Sequence, residues 1–254
     1  MNRLLVVPGL LLLWEAAALA AGDRFYILPG PATVAGAWWD HAGIILGQSV
    51  VTLVEILAGL GLGAFLGAAT ALAMAASPLL RRWTLPVLVA SQAVPVFALA
   101  PILVLWLGYG MASKIAVATL IIYFPVAAAF LDGLRRCEPG WLELARTMNA
   151  RPGAALLRLR LPAALPALAS GLRVATAVAP IGAVIGEWVG ASAGLGYLML
   201  QANARMQVPL MFAALATLAV FAVALYLAVD ALLRRALPWQ ADHLPSDIEN
   251  GVTR

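Results

Sequence analysis

The sequence predicts an all-α membrane protein that crosses the bilayer several times. Of its 254 residues, 63% are hydrophobic and only 11% are charged, a composition far from that of a soluble globular domain. Several apolar runs reach the roughly 20 residues that a helix needs to cross the hydrocarbon core. The net charge is +4, but the cations flank the apolar runs, which indicates membrane topology rather than nucleic-acid binding.

Six membrane-spanning helices are predicted along the chain. The spans are Leu4–Ala21, Gln48–Ala76, Leu85–Tyr109, Ser113–Leu134, Leu168–Val189 and Pro209–Leu233. A signal peptide is the alternative interpretation of the first run, because Arg3 precedes it and small residues end it. No clear cleavage context follows, so a retained helix is the preferred interpretation.

The distribution of cations predicts that both chain ends lie in the cytoplasm. With that orientation, only three of the 16 Lys and Arg residues fall outside, namely Arg24, Lys114 and Arg205. Also outside, the aromatic pairs at 25–26 and 38–39 bracket a stretch that is predicted to lie as a short helix at the membrane interface.

Two glycine series predict how the spans pack. Glycines every fourth residue share one helix face and let two backbones approach closely. The series are Gly59, Gly63 and Gly67 in the second span, and Gly182, Gly186 and Gly190 in the fifth. The alternative is that glycine is simply common in membrane helices. Prolines at 86, 95, 101 and 125 are expected to kink or break the third and fourth spans.

Ionisable residues inside the spans are the candidates for a translocation path. Glu187 lies beside the glycine face of the fifth span, and Glu55 lies in the second span. Trp188 is placed to stack on a flat solute or to close a gate. The alternative for Glu187 is solvation near the interface, or a salt bridge with Arg205.

No catalytic or metal-binding residues are predicted. A membrane enzyme would need a nucleophile–base pair or a metal cluster near one face, and no such set is found in the sequence. His41 and His243 are placed in a loop and in the polar tail, which gives no metal site. The sequence also lacks a phosphate-binding loop, and its one lysine, Lys114, stands in the stretch GYGMASKI.

A basic, helix-forming segment between the fourth and fifth spans is the most informative part of the sequence. It reads ELARTMNARPGAALLRLRLPAALP from Glu143 to Pro166. Its arginines are Arg146, Arg151, Arg158 and Arg160. Because the surrounding sequence is apolar, this segment is where the chain is expected to meet the cytoplasm and a partner.

The segment resembles the EAA motif of bacterial ABC-importer permeases. That motif reads Glu-Ala-Ala, three residues, Gly, nine residues, Ile, one residue, Leu-Pro. Glu143, Ala145, Leu161 and Pro162 stand at the matching spacing, whereas leucines replace the first Ala and the Ile. Asn149 replaces the glycine, and Asn is the best other residue for the left-handed conformation that a turn between two helices needs.

The resemblance extends over residues 45–235. Further similar stretches are Pro95–Ile115, Phe124–Leu134 and Gly171–Met199. Together they look like the nitrate, sulfonate, taurine and thiamine-precursor branch of the family, and the last stretch looks closest to permeases for thiamine pyrimidine precursors.

The resemblance implies a type I ABC importer permease fold with three parts. A first helix and external segment occupy residues 1–44, the permease domain 45–235 contains a coupling segment at 135–166, and a cytoplasmic tail occupies 236–254. The chain itself would bind no cofactor, since ATP and Mg²⁺ would bind to a cytoplasmic ATPase subunit. A periplasmic or lipoprotein solute-binding protein and a second copy of the permease would complete the importer in the bacterial inner membrane.

The resemblance also assigns roles within the coupling segment. Glu143 would face the ATPase or cap the preceding turn, Ala145 would permit close helix approach, and Asn149 would set the turn. Arg146 and Arg151 would pair with acidic residues of the ATPase. The alternative is a basic amphipathic helix lying on anionic lipid. For the whole chain, the alternatives are a secondary transporter, or the same permease role for a sulfonate, taurine or nitrate.

Overall fold

The computed structural model describes residues 3–20 and 27–239, and these parts are built from helices and short connections. The helices are α1 (Arg3–Ala20), α2 (Pro31–Asp40), α3 (Ala42–Ala76), α4 (Pro78–Ala90), α5 (Val96–Leu107), α6 (Met111–Arg135), α7 (Pro139–Thr147), α8 (Pro152–Ala155), α9 (Leu161–Gly190), α10 (Leu195–Ala204) and α11 (Val208–Ala236). A 3₁₀ turn at Ser91–Ala93 follows α4, and a π-helical turn at Leu156–Arg160 joins α8 to α9. The aromatic pair at 25–26 and most of the tail lie outside the described residues.

Within the described residues, four helices are long and apolar enough to cross a membrane. They are α3, α6, α11 and the continuous helix Pro152–Gly190, and they match the second, fourth, sixth and fifth predicted spans. The fifth span begins earlier than predicted, because α8 and the π-helical turn run into α9 without a break. The first predicted span coincides with α1.

The third predicted span is not a single helix, which corrects the sequence interpretation. It is divided between α4 and α5, whose axes differ by 103°. The break falls at Val94 and Pro95, where the backbone is extended. Pro95 has no N–H to continue the helical hydrogen bonds, and it restricts the residue before it to extended conformations. Pro125, by contrast, is accommodated inside α6.

Prolines and one serine define where several helices begin. Proline occupies the first turn of five helices that follow a non-helical residue, a position at which its missing N–H has no helical partner anyway. These prolines are Pro31, Pro78, Pro139, Pro152 and Pro209. Ser77 caps α4, because its hydroxyl accepts a hydrogen bond from the Leu80 amide at 3.3 Å.

The predicted interfacial helix is present as α2, but one of its aromatic residues has a different role. Trp38 donates a hydrogen bond from Nε1 to the Thr217 hydroxyl on α11 at 3.0 Å. The indole therefore ties α2 to the bundle rather than anchoring it at the membrane surface. Trp39 is 78% exposed and is free to take the anchoring position.

The first glycine series lies against α6. A Cβ added at Gly59 would lie 2.6 Å from Cβ of Ala118, and one at Gly63 would lie 2.7 Å from Ile122. Side chains at these positions would push α3 away from α6, since real Cβ atoms do not approach so closely. The absence of side chains is therefore what allows the two helices to touch along their backbones.

The second glycine series brings α9 close to α6 as well. A Cβ at Gly182 would lie 2.8 Å from Cα of Ala118, and one at Gly186 would lie 3.0 Å from Cα of Lys114. Gly190 instead faces α5, where Cγ2 of Val104 would lie 2.6 Å away. Helix α6 is thus held between α3 and α9, and Ala118 is the residue that both glycine faces contact.

Two apolar clusters fill the bundle on either side of this contact. The larger includes Ile45, Ile56 and Leu195 and extends to α11. The smaller surrounds Phe130 near the end of α6 and includes Leu88 of α4. Because α6 contributes to both clusters, it is the central helix of the fold.

A comparison of two glycines on α3 tests this packing. Gly59→Ala is expected to lower the free energy of unfolding by about 1–3 kcal/mol, because the new methyl overpacks the contact with Ala118. Gly61→Ala is the matched control, since nothing lies within 4 Å of its Cβ position, and its stability should equal or exceed that of the wild type. Thermal unfolding of the detergent-purified variants measures both, and equal destabilisation of the two would contradict the packing role.

Candidate functional sites at the two ends of the helix bundle

The coupling segment, residues 135–166, forms a helical hairpin at the end of α6. Helix α7 ends in a turn in which Asn149 has a φ of 56°, the left-handed conformation that the sequence leads one to expect. The Asn149 amide donates to the Arg146 carbonyl at 3.0 Å, and the Ala150 amide donates to the Ala145 carbonyl at 2.9 Å. This pair of bonds is the Schellman motif that closes a helix through a left-handed residue.

The second arm of the hairpin runs directly into a membrane span. Pro152 begins α8, and the chain continues through the π-helical turn into α9. Pro162, in the first turn of α9, cannot donate a hydrogen bond to the Arg158 carbonyl, and its ring crowds that carbonyl. A regular α-helical pattern is therefore interrupted at the Leu161-Pro162 pair. One continuous helix, Pro152–Gly190, therefore connects the hairpin to the far end of the bundle.

The hairpin exposes charge and apolar surface side by side. Ala145 is buried between the two arms, which leaves room for their close approach. Around it lies a cavity of about 320 Å³ that is mostly apolar. Leu144 is 61% exposed and Met148 is 74% exposed. The charged or polar residues Glu143, Arg146, Asn149 and Arg151 are also exposed.

The far end of the bundle, opposite the coupling segment, contains a buried ion pair. Nζ of Lys114 lies 2.7 Å from Oε1 of Glu55, and the side chains are 6% and 0% exposed. The same ammonium group donates to the Ala193 carbonyl at 3.3 Å. The pair joins α3 to α6, and the third contact adds the connection between α9 and α10.

Glu187 occupies the same buried region and binds the start of α10. Its Oε1 accepts a hydrogen bond from the Thr52 hydroxyl at 2.6 Å. Its Oε2 accepts from the Gly196 amide and from the Tyr197 amide, the latter at 3.1 Å. Free amides at a helix start attract negative charge, so the carboxylate satisfies two donors that the helix cannot satisfy itself.

Two polar residues of α3 complete the binding of this helix start. The Thr52 hydroxyl accepts from the Leu195 amide at 2.7 Å, and Oε1 of Gln48 accepts from the Gly194 amide at 2.6 Å. Gly194 has a φ of 120°, and a Cβ there would overlap the Glu187 carboxylate. Glycine is required at this position for both reasons.

The residues that were predicted to line a translocation path differ in their solvent exposure. Glu55 and Glu187 are 0% and 1% exposed, so the prediction that they line a translocation path stays a prediction. Trp188 is 52% exposed, and its Nε1 donates to the Gly196 carbonyl at 3.1 Å. The alternative in which Glu187 pairs with Arg205 or is solvated is wrong, because its partners are the buried groups described above.

Sequence reasoning missed three residues of this cluster. Lys114 was assigned to the external surface because it begins a span, yet it is 5% exposed. A signal was present, since it is the only lysine among 16 basic residues. The sequence did not mark Gln48 and Thr52 as buried, because polar residues near a helix end are also common where the helix is exposed to water.

The chain matches a known protein family. A family model described as binding-protein-dependent transport system inner membrane component matches residues 59–239. A probable ABC transporter permease protein of Haemophilus influenzae is 55% identical, over 92% of this chain and 96% of its own length. A formylaminopyrimidine transport permease protein of Halalkalibacterium halodurans is 37% identical, over 91% of this chain and 92% of its own length.

Two further proteins are similar to this chain, one in sequence and one in fold. A riboflavin transport system permease protein of Chloroflexus aurantiacus is 36% identical, over 91% of this chain and 87% of its own length. The solved structure of the inward-facing MetNI methionine ABC transporter contains a chain with a TM-score of 0.66 and 21% identity. The match covers 75% of this chain and 95% of that one, and at this identity it shows the fold alone.

Removal of the buried lysine charge tests the far-end cluster. Lys114→Met is expected to lower the free energy of unfolding by about 3–5 kcal/mol, because it leaves the buried Glu55 carboxyl without its partner. The double variant Lys114→Met/Glu55→Leu should recover part of this loss, since both buried charges are then gone.

Arg136→Met is the control for that experiment. It removes a bridge to Asp132 between side chains that are 80% and 55% exposed, so the expected change is within about 0.5 kcal/mol. Thermal unfolding in detergent measures all variants. A Lys114→Met protein as stable as the wild type would show that the pair contributes nothing.

Proposed function

The chain belongs to the family of binding-protein-dependent transport system inner membrane components, as a permease subunit of an ABC importer, and we propose that its solute is a pyrimidine. Family membership sets aside the secondary-transporter alternative, and the energy for transport comes from a partner ATPase. The similarity to a formylaminopyrimidine permease over most of both chains is the observation that carries the solute proposal. It agrees with the sequence resemblance to permeases for thiamine pyrimidine precursors.

The coupling segment is the proposed docking site for the ATPase, which would bind ATP and Mg²⁺. Its hairpin protrudes from the end of α6 and exposes Leu144 and Met148, apolar residues suited to the centre of an interface. The exposed Arg146 and Arg151 would pair with acidic residues of the ATPase around that centre. Glu143 is exposed on the same arm and would contact the ATPase directly.

A two-fold homodimer in the bacterial inner membrane is the proposed assembly. Helix α5 exposes large apolar side chains, with Leu105 81% exposed and Trp106 75% exposed. A second copy would cover part of this surface and enclose the path between the two chains. The excess of arginine at the coupling end supports an orientation with that end in the cytoplasm. A solute-binding protein would then dock at the far end.

Among the predicted path residues, Trp188 is the one proposed to contact solute in the conformation described. Its indole is half exposed at the far end and is held by the Gly196 carbonyl, which would present a flat face to an aromatic ring. Contact with Glu55 or Glu187 would require the buried cluster to open. Riboflavin is the second candidate solute, favoured by the 36% identical riboflavin permease.

Glu143→Ala tests the docking role of the coupling segment. The chain is reconstituted in liposomes with the ATPase encoded beside it and with the associated binding protein. Stimulation of ATP hydrolysis by the loaded binding protein should fall about fivefold or more, because the coupling between the two subunits is weakened. Asp132→Ala removes an exposed carboxylate of α6 before the coupling segment begins and should leave stimulation unchanged. Equal stimulation in the wild type and Glu143→Ala would refute the role of Glu143.

A solute panel tests the pyrimidine proposal with the same complex. Formylaminopyrimidine, riboflavin and taurine are each offered to the binding protein, and uptake into liposomes is measured. ATP-dependent uptake of formylaminopyrimidine, with little uptake of taurine, is the expected result. Uptake of riboflavin alone would transfer the proposal to the second candidate, and uptake of taurine alone would overturn both.

A further inference from the structure

The break between α4 and α5 exposes polar groups in an apolar setting. All five residues from Ser91 to Pro95 are exposed, and neither Val94 nor Pro95 continues a helix. The Gln92 amide donates to the Ser91 hydroxyl at 3.4 Å, which leaves its carbonyl oxygen open to a further partner. The Ser91 hydroxyl donates in turn to the Leu88 carbonyl at 2.7 Å.

The break lies at mid-depth of the bundle. On one side, Leu88 of α4 packs in the cluster around Phe130, near the coupling end of α6. On the other side, Val104 of α5 packs against Gly190 at the far end. Between them, Tyr123 at the middle of α6 (Met111–Arg135) lines the same cavity as Gln92.

An irregular backbone at this depth cannot face lipid. Non-helical segments within the hydrocarbon region occur only where protein covers them or where they line a water-filled space. Transporters use such broken helices to build solute sites near the bilayer midplane. The exposed face of the break is therefore expected to border the path between two copies of the chain.

We propose that the cavity at this break is a solute site on the translocation path, and that it accepts a neutral, planar heterocycle. The inference rests on the importer function proposed above and specifies the chemistry of its path. The cavity has a volume of about 180 Å³, below the range of sites for drug-sized ligands, which suits a single ring. The Gln92 amide offers both a donor and an acceptor to ring nitrogens and exocyclic groups. The Tyr123 ring offers a face for stacking.

The described residues that line this cavity carry no charge, which favours a neutral solute over an anionic one. The described residues that line the cavity include Thr84, Ser91, Gln92 and Tyr123 as polar members, and none is Asp, Glu, Lys, Arg or His. A sulfonate such as taurine would lose its hydration there without a cation to compensate, which is strongly unfavourable. A neutral pyrimidine needs only hydrogen bonds, and the site supplies them.

Gln92→Leu tests the site in the reconstituted complex with ATPase and binding protein. The substitution keeps a side chain of similar size and removes the amide. Uptake of formylaminopyrimidine should fall about tenfold, as expected for loss of one hydrogen bond to solute on the path, while binding-protein-stimulated ATP hydrolysis persists. Gln207→Leu is the matched control, since Gln207 is exposed at the start of α11, and uptake should be unchanged. Equal uptake by Gln92→Leu and the wild type would overturn the site.

A thiol-labelling experiment tests the water-filled path without any solute. In a Cys137→Ser background, Gln92→Cys should react with a charged, membrane-impermeant thiol reagent in proteoliposomes. Val220→Cys is the control, because Val220 is 66% exposed at the middle of the apolar helix α11 and should stay unmodified. No reaction at residue 92, with or without ATP, would place the break against lipid or protein and overturn the inference.

The uptake and labelling assays distinguish failure of the proposed solute site from failure of the proposed importer function. A wild-type complex that neither hydrolyses ATP in response to binding protein nor imports any solute would refute the proposed function, whatever the labelling shows. A wild-type complex that imports formylaminopyrimidine while Gln92→Leu also does so would refute only the site. Import of taurine that depends on Gln92 would refute the requirement for a neutral solute.

Discussion

The close approach of α6 to both α3 and α9 is the constraint on which the other features depend. Lipid provides no hydrophobic drive for helices to associate, so contact must come from packing and polar bonds. Glycines at 59 and 182 allow two helices to reach Ala118. Helix α6 then carries Lys114 at one end, Tyr123 at its middle and the coupling segment after its other end. The three regions proposed for function are thus arranged along one tightly held helix.

The buried charges strengthen this arrangement in a way that apolar packing cannot. Lys114, Glu55 and Glu187 each bond to groups on other elements, and together they connect α3, α6, α9 and α10. A backbone connection such as 191–194 has unsatisfied amides and carbonyls, which are costly to bury in a membrane protein. The side chains supply those partners. Helices α4 and α5 bury few residues, namely Leu88 of α4 and Ala100 and Val104 of α5.

Much of the helical layout was predictable, whereas the polar interior was not. Long apolar runs give spans directly, and the motif at Glu143 and Leu161 indicated the hairpin because its spacing is independent of tertiary contacts. Helix α10 was not predicted as a separate element, because its start is stabilised by Gln48 and Thr52 from a distant part of the chain and by Glu187 of the preceding helix. Such caps are invisible to local sequence patterns. A kink or break at Pro95 was expected, but its 103° bend depends on how α4 and α5 pack on α6.

The π-helical turn at Leu156–Arg160 has a consequence for how such chains tolerate changes in length. A π-helical turn contains one residue more than the α-helical turn it replaces. The wider turn takes up the extra residue, because each of its residues rotates the chain by less than the roughly 100° of an α-helical residue. A change of one residue in length at this turn would therefore leave the hairpin close to its present direction relative to the glycine face at 182, 186 and 190. The same change between that face and the turn would instead rotate the packing face of α9 away from α6.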